Sequence, residues 1–514
     1  VSDVASDFDD RSTRASEWNP AIYKRTKPQI VTGLECVGFS GGMKYNYQEP
    51  ETARSSLFEE FFSVHERSAL WWPTSEESWR KEYRPPSLDD IVQHMNRFGG
   101  QRKFDEQIFA LYVGTAMRRM TAYEGVGSAV RFTNWLTHEN LVNVRVPSKT
   151  SAGLRWSKLG FKSKLSALAP AIEEASRDMN GLRLGRSYET PPCKVAARGK
   201  LVDIGRELGK KEGRLVLVPD LKRHLMGSLA SVPYSKLVKS FSKDNGGVMI
   251  GMGPFDDWYQ HLAQAIQGER KPLFYVCADF SGYDQTVPAP VLAAAMARIR
   301  NRFSEEVGSE AYWDSEYEHL VNTVTAMPNG QLYRKERGVS SGDPWTSQAG
   351  SEANWLMHEI IFDLLGWDAR AWTFGDDVVC AVFKTEREMT HKQVMVQYVG
   401  AFEGVFGMEV KMSDSYVTEH LVIDGTSPVE GASVKFLANY FMRRGYFIRP
   451  VPAFERVVEG MMYPEHNNFD ILESMSKEVL ERYLSYELMR TSSYYLTSYY
   501  NPMARAMLER YYNW

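Results

Sequence analysis

Long apolar runs, clustered cysteines and an excess of positive charge are all missing from this chain. No stretch approaches the roughly 18 to 20 apolar residues that span a bilayer. The opening segment Val1–Pro20 is acidic and serine-rich, where a secretion signal would be basic and then apolar. Neither a leader nor a membrane anchor is expected. The four cysteines, Cys36, Cys193, Cys277 and Cys380, are widely separated and lack CxxC spacing or neighbouring histidines, which argues against zinc or a disulfide scaffold and for a reducing compartment. A net charge of −4 argues against a protein that coats nucleic acid over its whole surface.

What is present is a long, ordinary globular composition with local charge segregation. With 514 residues, 43% of them hydrophobic, the chain can bury a large multi-lobed core. The stretch Arg145–Lys164 carries Arg145, Lys149, Arg155, Lys158, Lys162 and Lys164 and no acid, and Lys194–Asp244 holds twelve basic against five acidic residues. Basic segments within an acidic chain suit a polyanion held in one channel.

No repeat or low-complexity linker divides the chain, so its parts are separated by chemistry. Residues 1–270 combine helical patterns at Ser87–Phe98 and Glu106–Thr121 with these basic segments. From Pro272 an apolar run, LFYVCA, ends at Asp279, as expected of a buried strand delivering a carboxylate. The prolines at 288 and 290 introduce the helical VLAAAMARIRNRF, and a glycine-containing turn at Arg337–Gly342 leads into a helix over Asp343–Leu365. Two apolar runs, Ala371–Phe374 and Val378–Phe383, flank Gly375-Asp376-Asp377 and predict a hairpin with carboxylates at its turn. The tyrosine-rich segment from Gly445 to Trp514 reads as helical and separate.

Joining a nucleotide to a sugar hydroxyl requires deprotonating the attacking oxygen and neutralising the departing pyrophosphate. Two divalent ions about 3.5–4 Å apart do both. A hairpin turn bearing Asp376 and Asp377 beside a strand ending in Asp279 supplies the hard oxygen donors that Mg²⁺ prefers. Alone, a Gly-Asp-Asp turn is commonly a solvated hairpin tip, and Asp279 with Asp284 could be a strand end and a helix cap. The ordered set of DFSGYD, SGDPWTSQAGSEAN and FGDD is what distinguishes them.

The segments ADFSGYDQT, SSGDPWTSQAGSEAN and TFGDDVV resemble motifs A, B and C of viral RNA-dependent RNA polymerases, in detail most like the picobirnavirus and partitivirus branch. The resemblance implies an α/β (α+β) right-hand polymerase. Its fingers would lie in 1–270, a ferredoxin-like palm in 271–444 with a fingers insertion near 303–336, and a helical thumb with the C-terminal tail in 445–514. It makes Asp279 and Asp376 the principal ligands of two Mg²⁺ ions, with Asp377 supporting and Mn²⁺ as an alternative metal. Asp284 would recognise the ribose hydroxyls, the feature that separates RNA from DNA precursors. Ser341, Gly342 and Thr346 match the template- and ribose-reading turn and the helix after it. The family often has asparagine nine residues after that serine. Here Gly350 stands there, and Asn354, one helical turn later, is the candidate amide.

Further along, Lys210–Val216 resembles motif F, in which Arg214 and Lys211 would bind the incoming triphosphate. Lys411 matches motif D as a general acid for pyrophosphate, with an exposed helix-end lysine as the plainer reading. The stretch Val434–Phe441 resembles the primer-gripping motif E. Lys149, Arg155, Lys158 and Lys162 are candidates for template-backbone contact, which needs no sequence readout. The tyrosines of the C-terminal segment could either stack the first nucleotide in primer-independent initiation or pack between helices.

These readings imply single- and double-stranded RNA and ribonucleoside triphosphates as partners, together with a capsid protein and no membrane. They imply replication and transcription of a viral RNA genome in the virion interior and the host cytoplasm. The competing readings are a reverse transcriptase or other palm nucleotidyltransferase, which Asp284 and Gly375 disfavour, a Mg²⁺-dependent nuclease, and a non-catalytic capsid-associated RNA-binding protein.

Overall fold

A computed structural model describes residues 29–40, 55–65, 81–84, 87–100, 102–203, 213–241, 246–253, 255–268, 270–464 and 476–514. The first sheet runs in the order β1 (Glu35–Phe39), β8 (Gln331–Arg334), β7 (Val324–Ala326), β3 (Cys193–Arg198), β5 (Arg214–Val218). Strands β3 and β5 alternate buried and open residues, as expected of strands with one face on a core. That core includes Leu34, Met95, Phe98, Val195, Leu217 and Tyr333. Because β7 and β8 join strands from far earlier in the chain, the segment near 303–336 returns to the N-terminal lobe. A short antiparallel ladder joins β2 (Lys81–Arg84) to β4 (Lys200–Asp203).

The second sheet, in the order β11 (Tyr416–Thr418), β6 (Phe274–Ala278), β10 (Asp377–Lys384), β9 (Asp368–Phe374), is antiparallel throughout. Strands β6 and β10 are nearly continuous apolar runs because helices cover the face that solvent would otherwise reach. The main cover is the helix Thr346–Leu365, buried at every position from Ala349 to Phe362. A helix enclosed on all sides must satisfy its polar groups internally. Accordingly Glu352 pairs with Arg298 at 3.1 Å, Glu359 with Arg119 at 3.1 Å, and His358 Nε2 lies 2.6 Å from the Tyr398 hydroxyl.

Behind this sheet, β12 (Val422–Asp424), β13 (Lys435–Phe436) and β15 (Phe447–Pro452) all pair with β14 (Asn439–Arg444). The sequence reading took the chain from Gly445 onward as helical, but its first element is a strand. Phe447–Pro452 alternates with the pleat and forms six register pairs with β14, and its prolines are tolerable because, among the described residues, β14 is its one strand partner. The expected boundary at 444/445 therefore falls at a hairpin tip. Helices Phe454–Met462, Lys477–Ser498 and Pro502–Asn513 follow. They pack Phe454, Val457, Met507 and Tyr511 against Phe58, Phe61 and Phe62, so helix Ser56–His65 from the N-terminal region belongs to the C-terminal core.

Candidate active site

Antiparallel pairing of Ala278 with Val378 brings the next residue of β6, Asp279, to the first residue of β10, Asp377. Asp377 in turn faces Phe374, leaving Gly375 and Asp376 as a two-residue turn. Gly375 has φ +61°, which fits the first central position of a type II′ turn and is easy only for glycine. Three carboxylates thus meet at one end of the sheet. Asp376 and Asp377 touch solvent, yet the protein around them strips enough water to raise both above the usual carboxylate range. Neighbouring acids add to it: Asp279 acts on Asp376, and Asp376 and Asp279 push Asp377 up to about 7.

Lys411 stands at the same corner. Its backbone N–H donates to the Asp279 carbonyl at 2.8 Å, and its Nζ lies 2.7 Å from Asp279 Oδ2. The Ser281 N–H donates to the Glu409 carbonyl at 2.9 Å, and the Asp279 N–H donates to Ser415 Oγ at 2.9 Å. The segment 409–415 is therefore strapped along the end of β6. Ser415 carried no signal in the sequence.

Asp284 sits in the short helix Tyr283–Thr286, where burial and then the Asp376 charge push it up to about 7, against the opposing pull of Arg214 and Lys335. Its carbonyl accepts from the Val339 N–H at 2.7 Å. Gly338, at φ +71°, comes so close that a Cβ there would lie 2.3 Å from the same oxygen. Ser341 and Gly342 pack on β5, directly after Arg214. Ser341 Oγ donates to the Leu215 carbonyl at 3.0 Å, and a Cβ on Gly342 would meet the Leu217 carbonyl at 2.8 Å. Thr346 Oγ1 donates to the Ser340 and Asp343 carbonyls, closing the loop onto the helix start.

Several expected residues stand elsewhere. Asn354 is fully buried, and its Nδ2 donates to the Gly375 carbonyl at 2.8 Å, so its amide serves the hairpin turn and not an open pocket. Arg155 is half-buried and engaged by protein partners, with Glu174 at 2.7 Å, Asp220 at 3.2 Å and the Trp156 ring at 4.5 Å. Lys149, Lys158 and Lys162 are all exposed, and Lys158 also bonds the Ser40 carbonyl. Lys211 lies outside the described residues. Two residues absent from the sequence reading also reach this region. Arg97 Nη2 donates to Ser281 Oγ at 3.2 Å, and His94 Nδ1 lies 3.1 Å from Gln285 Nε2.

The donor set fits a hard divalent cation: oxygen donors only, with mutual repulsion that a cation would relieve. As they stand, the three side chains do not converge on one point closely enough to ligate an ion together, and the lysine ammonium takes one oxygen of Asp279. Asp279, Asp376 and Asp377 are the residues that would hold such an ion, with Lys411 competing for Asp279 Oδ2. Beyond the sheet, the β13–β14 turn holds Leu437 and Ala438 at φ +49° and +58°, a strained conformation for residues with side chains, at the segment that resembles motif E.

A family profile described as viral RNA-dependent RNA polymerase matches residues 149–506. The fold is similar to that of the RNA-dependent RNA polymerase of a human picobirnavirus, with TM-score 0.60, 13% identity, and coverage of 91% of this chain and 84% of that one. An insertion-loop deletion mutant of a human picobirnavirus polymerase gives TM-score 0.60 at 14% identity, covering 91% of this chain and 87% of that one. Among curated proteins, the genome polyprotein of pea seed-borne mosaic virus is 29% identical over 133 residues, 24% of this chain. That of blackberry virus Y is 28% identical over 142 residues, 26% of this chain. Each match spans only 4% of the polyprotein's length. With the profile covering well over half of it, the chain belongs to the viral RNA-dependent RNA polymerase family.

Proposed function

We propose that the protein is an RNA-directed RNA polymerase that replicates and transcribes a viral RNA genome by two-metal nucleotidyl transfer. The observation that carries this is the meeting of Asp279, Asp376 and Asp377 at one sheet end, inside the matched region. Asp279 and Asp376 would hold two Mg²⁺ or Mn²⁺ ions, with Asp377 beside them. Bound there, the ions lower the pKa of the attacking 3′-hydroxyl and neutralise the leaving phosphates.

The chain's own groups do the remaining work. Arg214, at the start of β5 in the first sheet and near enough for its charge to act on Asp284 and Asp376, binds the triphosphate through its guanidinium, and Lys211 assists from the segment before it. Asp284 accepts from the ribose hydroxyls, and the Ser341–Gly342 turn supports the template base opposite. Lys411, once released from Asp279, is placed to give a proton to pyrophosphate as it leaves. Lys149 and Lys162 line the template path through exposed charge. Single- and double-stranded RNA are the macromolecular ligands, initiation is primer-independent, and the enzyme works with a capsid protein in the virion interior and the host cytoplasm. Among the described residues no helix is long and apolar enough to cross a membrane.

The test is incorporation of labelled ribonucleotides on a single-stranded RNA template with Mg²⁺ and no primer. The native chain yields template-length product and Asp376→Ala yields none while still retaining RNA. Failure of the native chain with a primer also supplied would favour an RNA-binding protein without catalysis.

A further inference from the structure

The weakest point of the carboxylate corner is Gly375. It has no side chain, and the space its Cβ would fill has nothing within 4 Å, so packing does not locate it. Beyond the strand pairing on either side of it, its two backbone groups are what can fix the turn that carries Asp376. Both are held by the buried helix Thr346–Leu365. The Gly375 N–H donates to Ser351 Oγ at 2.7 Å, and the Gly375 carbonyl accepts from Asn354 Nδ2 at 2.8 Å. Ser351 and Asn354 are fully buried and lie three residues apart on one helix face.

The serine hydroxyl is oriented in turn. It donates to the Ser347 carbonyl at 2.6 Å, which leaves its lone pairs toward Gly375. The helix runs close to the turn here: a Cβ at Gly350 would stand in ordinary van der Waals contact with the Gly375 Cα, at 3.9 Å. Thr373 ties the same seam without touching the glycine, its Oγ1 donating to the Ser351 carbonyl at 2.9 Å.

We propose that Ser351 and Asn354 are positioning residues for the metal site: together they clamp Gly375 and so set where Asp376 presents its carboxylate. The inference rests on the reading of Asp376 as a metal ligand. It assigns to Asn354 a task distinct from ribose recognition, and it makes the helix that begins at the Ser341–Gly342 loop the part that locates the metal-binding turn.

The experiment measures Mn²⁺ binding to the nucleotide-free full chain by electron paramagnetic resonance, together with kcat, KM for nucleotide, template RNA binding and Tm. Ser351→Ala and Asn354→Ala are expected to weaken Mn²⁺ binding and lower kcat by about 10-fold or more, the scale of one lost buried hydrogen bond. RNA binding should stay native. Thr373→Val, which loosens the same seam, should lower Tm and leave Mn²⁺ affinity unchanged. Native Mn²⁺ affinity and kcat in folded Ser351→Ala or Asn354→Ala would overturn the clamp, and so would an equal loss of Mn²⁺ affinity in Thr373→Val. Asp376→Ala separates the two readings: if it binds Mn²⁺ as the native chain does, the metal assignment itself fails.

Discussion

Two acidic clusters lie on either side of the Ser341–Gly342 loop, and they are built on opposite principles. Behind the loop, Asp343 receives a bidentate grip from Arg223 at 2.9 and 3.0 Å. Arg223 also bonds Glu316 at 2.5 Å and the Tyr188 hydroxyl at 2.8 Å, and Trp345 Nε1 donates to Glu316 at 2.6 Å. All of these groups are buried, and the carboxylates hold the guanidinium well above its ordinary pKa against the cost of burial. In front, Asp376 and Asp377 have no comparable cation, and their protons are held more tightly than usual. Acids neutralised within the fold give it rigidity, whereas acids left in mutual repulsion are prepared for an ion from outside.

The largest effect should come from breaking the rear cluster. Arg223→Met leaves two buried carboxylates unpaired and should cost about 3–5 kcal/mol of stability, visible as a large fall in Tm, whereas Asp376→Ala should leave Tm equal or higher. A smaller effect sharpens the contrast. Asp377, with its pKa near 7, keeps its proton at pH 6 and has lost it by pH 8. A metal must displace that proton, so Mg²⁺ affinity should rise by up to about tenfold from pH 6 to pH 8, with proton release in calorimetry at the lower pH. An effect of similar size concerns selection of the sugar. Asp284→Ala should narrow the preference for ribo- over deoxyribonucleotides by about tenfold or more, because a site that bonds a hydroxyl discriminates through it. Competing incorporation of the two nucleotide types measures the ratio.

Much of the carboxylate corner was legible in the sequence because it depends on local rules. An apolar run ending in Asp279 and two runs around a Gly-Asp-Asp turn are a strand and a hairpin by composition alone, and both formed within a few residues of their expected bounds. What was not legible depended on partners distant in the chain. Arg155 looked free because no acid lies near it in sequence, yet Glu174 and Asp220 close on it in space. Asn354 lies on the helix face toward Gly375, but helical periodicity cannot say which backbone group its amide meets. Phe447–Pro452 became a strand only because β14 was there to pair with it. Arg97 and His94 reach DFSGYDQ from a helix almost two hundred residues earlier, and Ser415 and Ser351 look like any serine until the chain is folded.

The close approach of Gly338 to Asp284 has a consequence for copying accuracy. One hydrogen bond and a glycine without room for a Cβ fasten the backbone of Asp284 to the lead-in of the Ser341–Gly342 turn. With the roles proposed above, a wrong sugar that displaced Asp284 would also disturb the turn proposed to support the template base. Errors of sugar and errors of base would then be sensed by one piece of backbone, and tolerance for one would be tied to tolerance for the other.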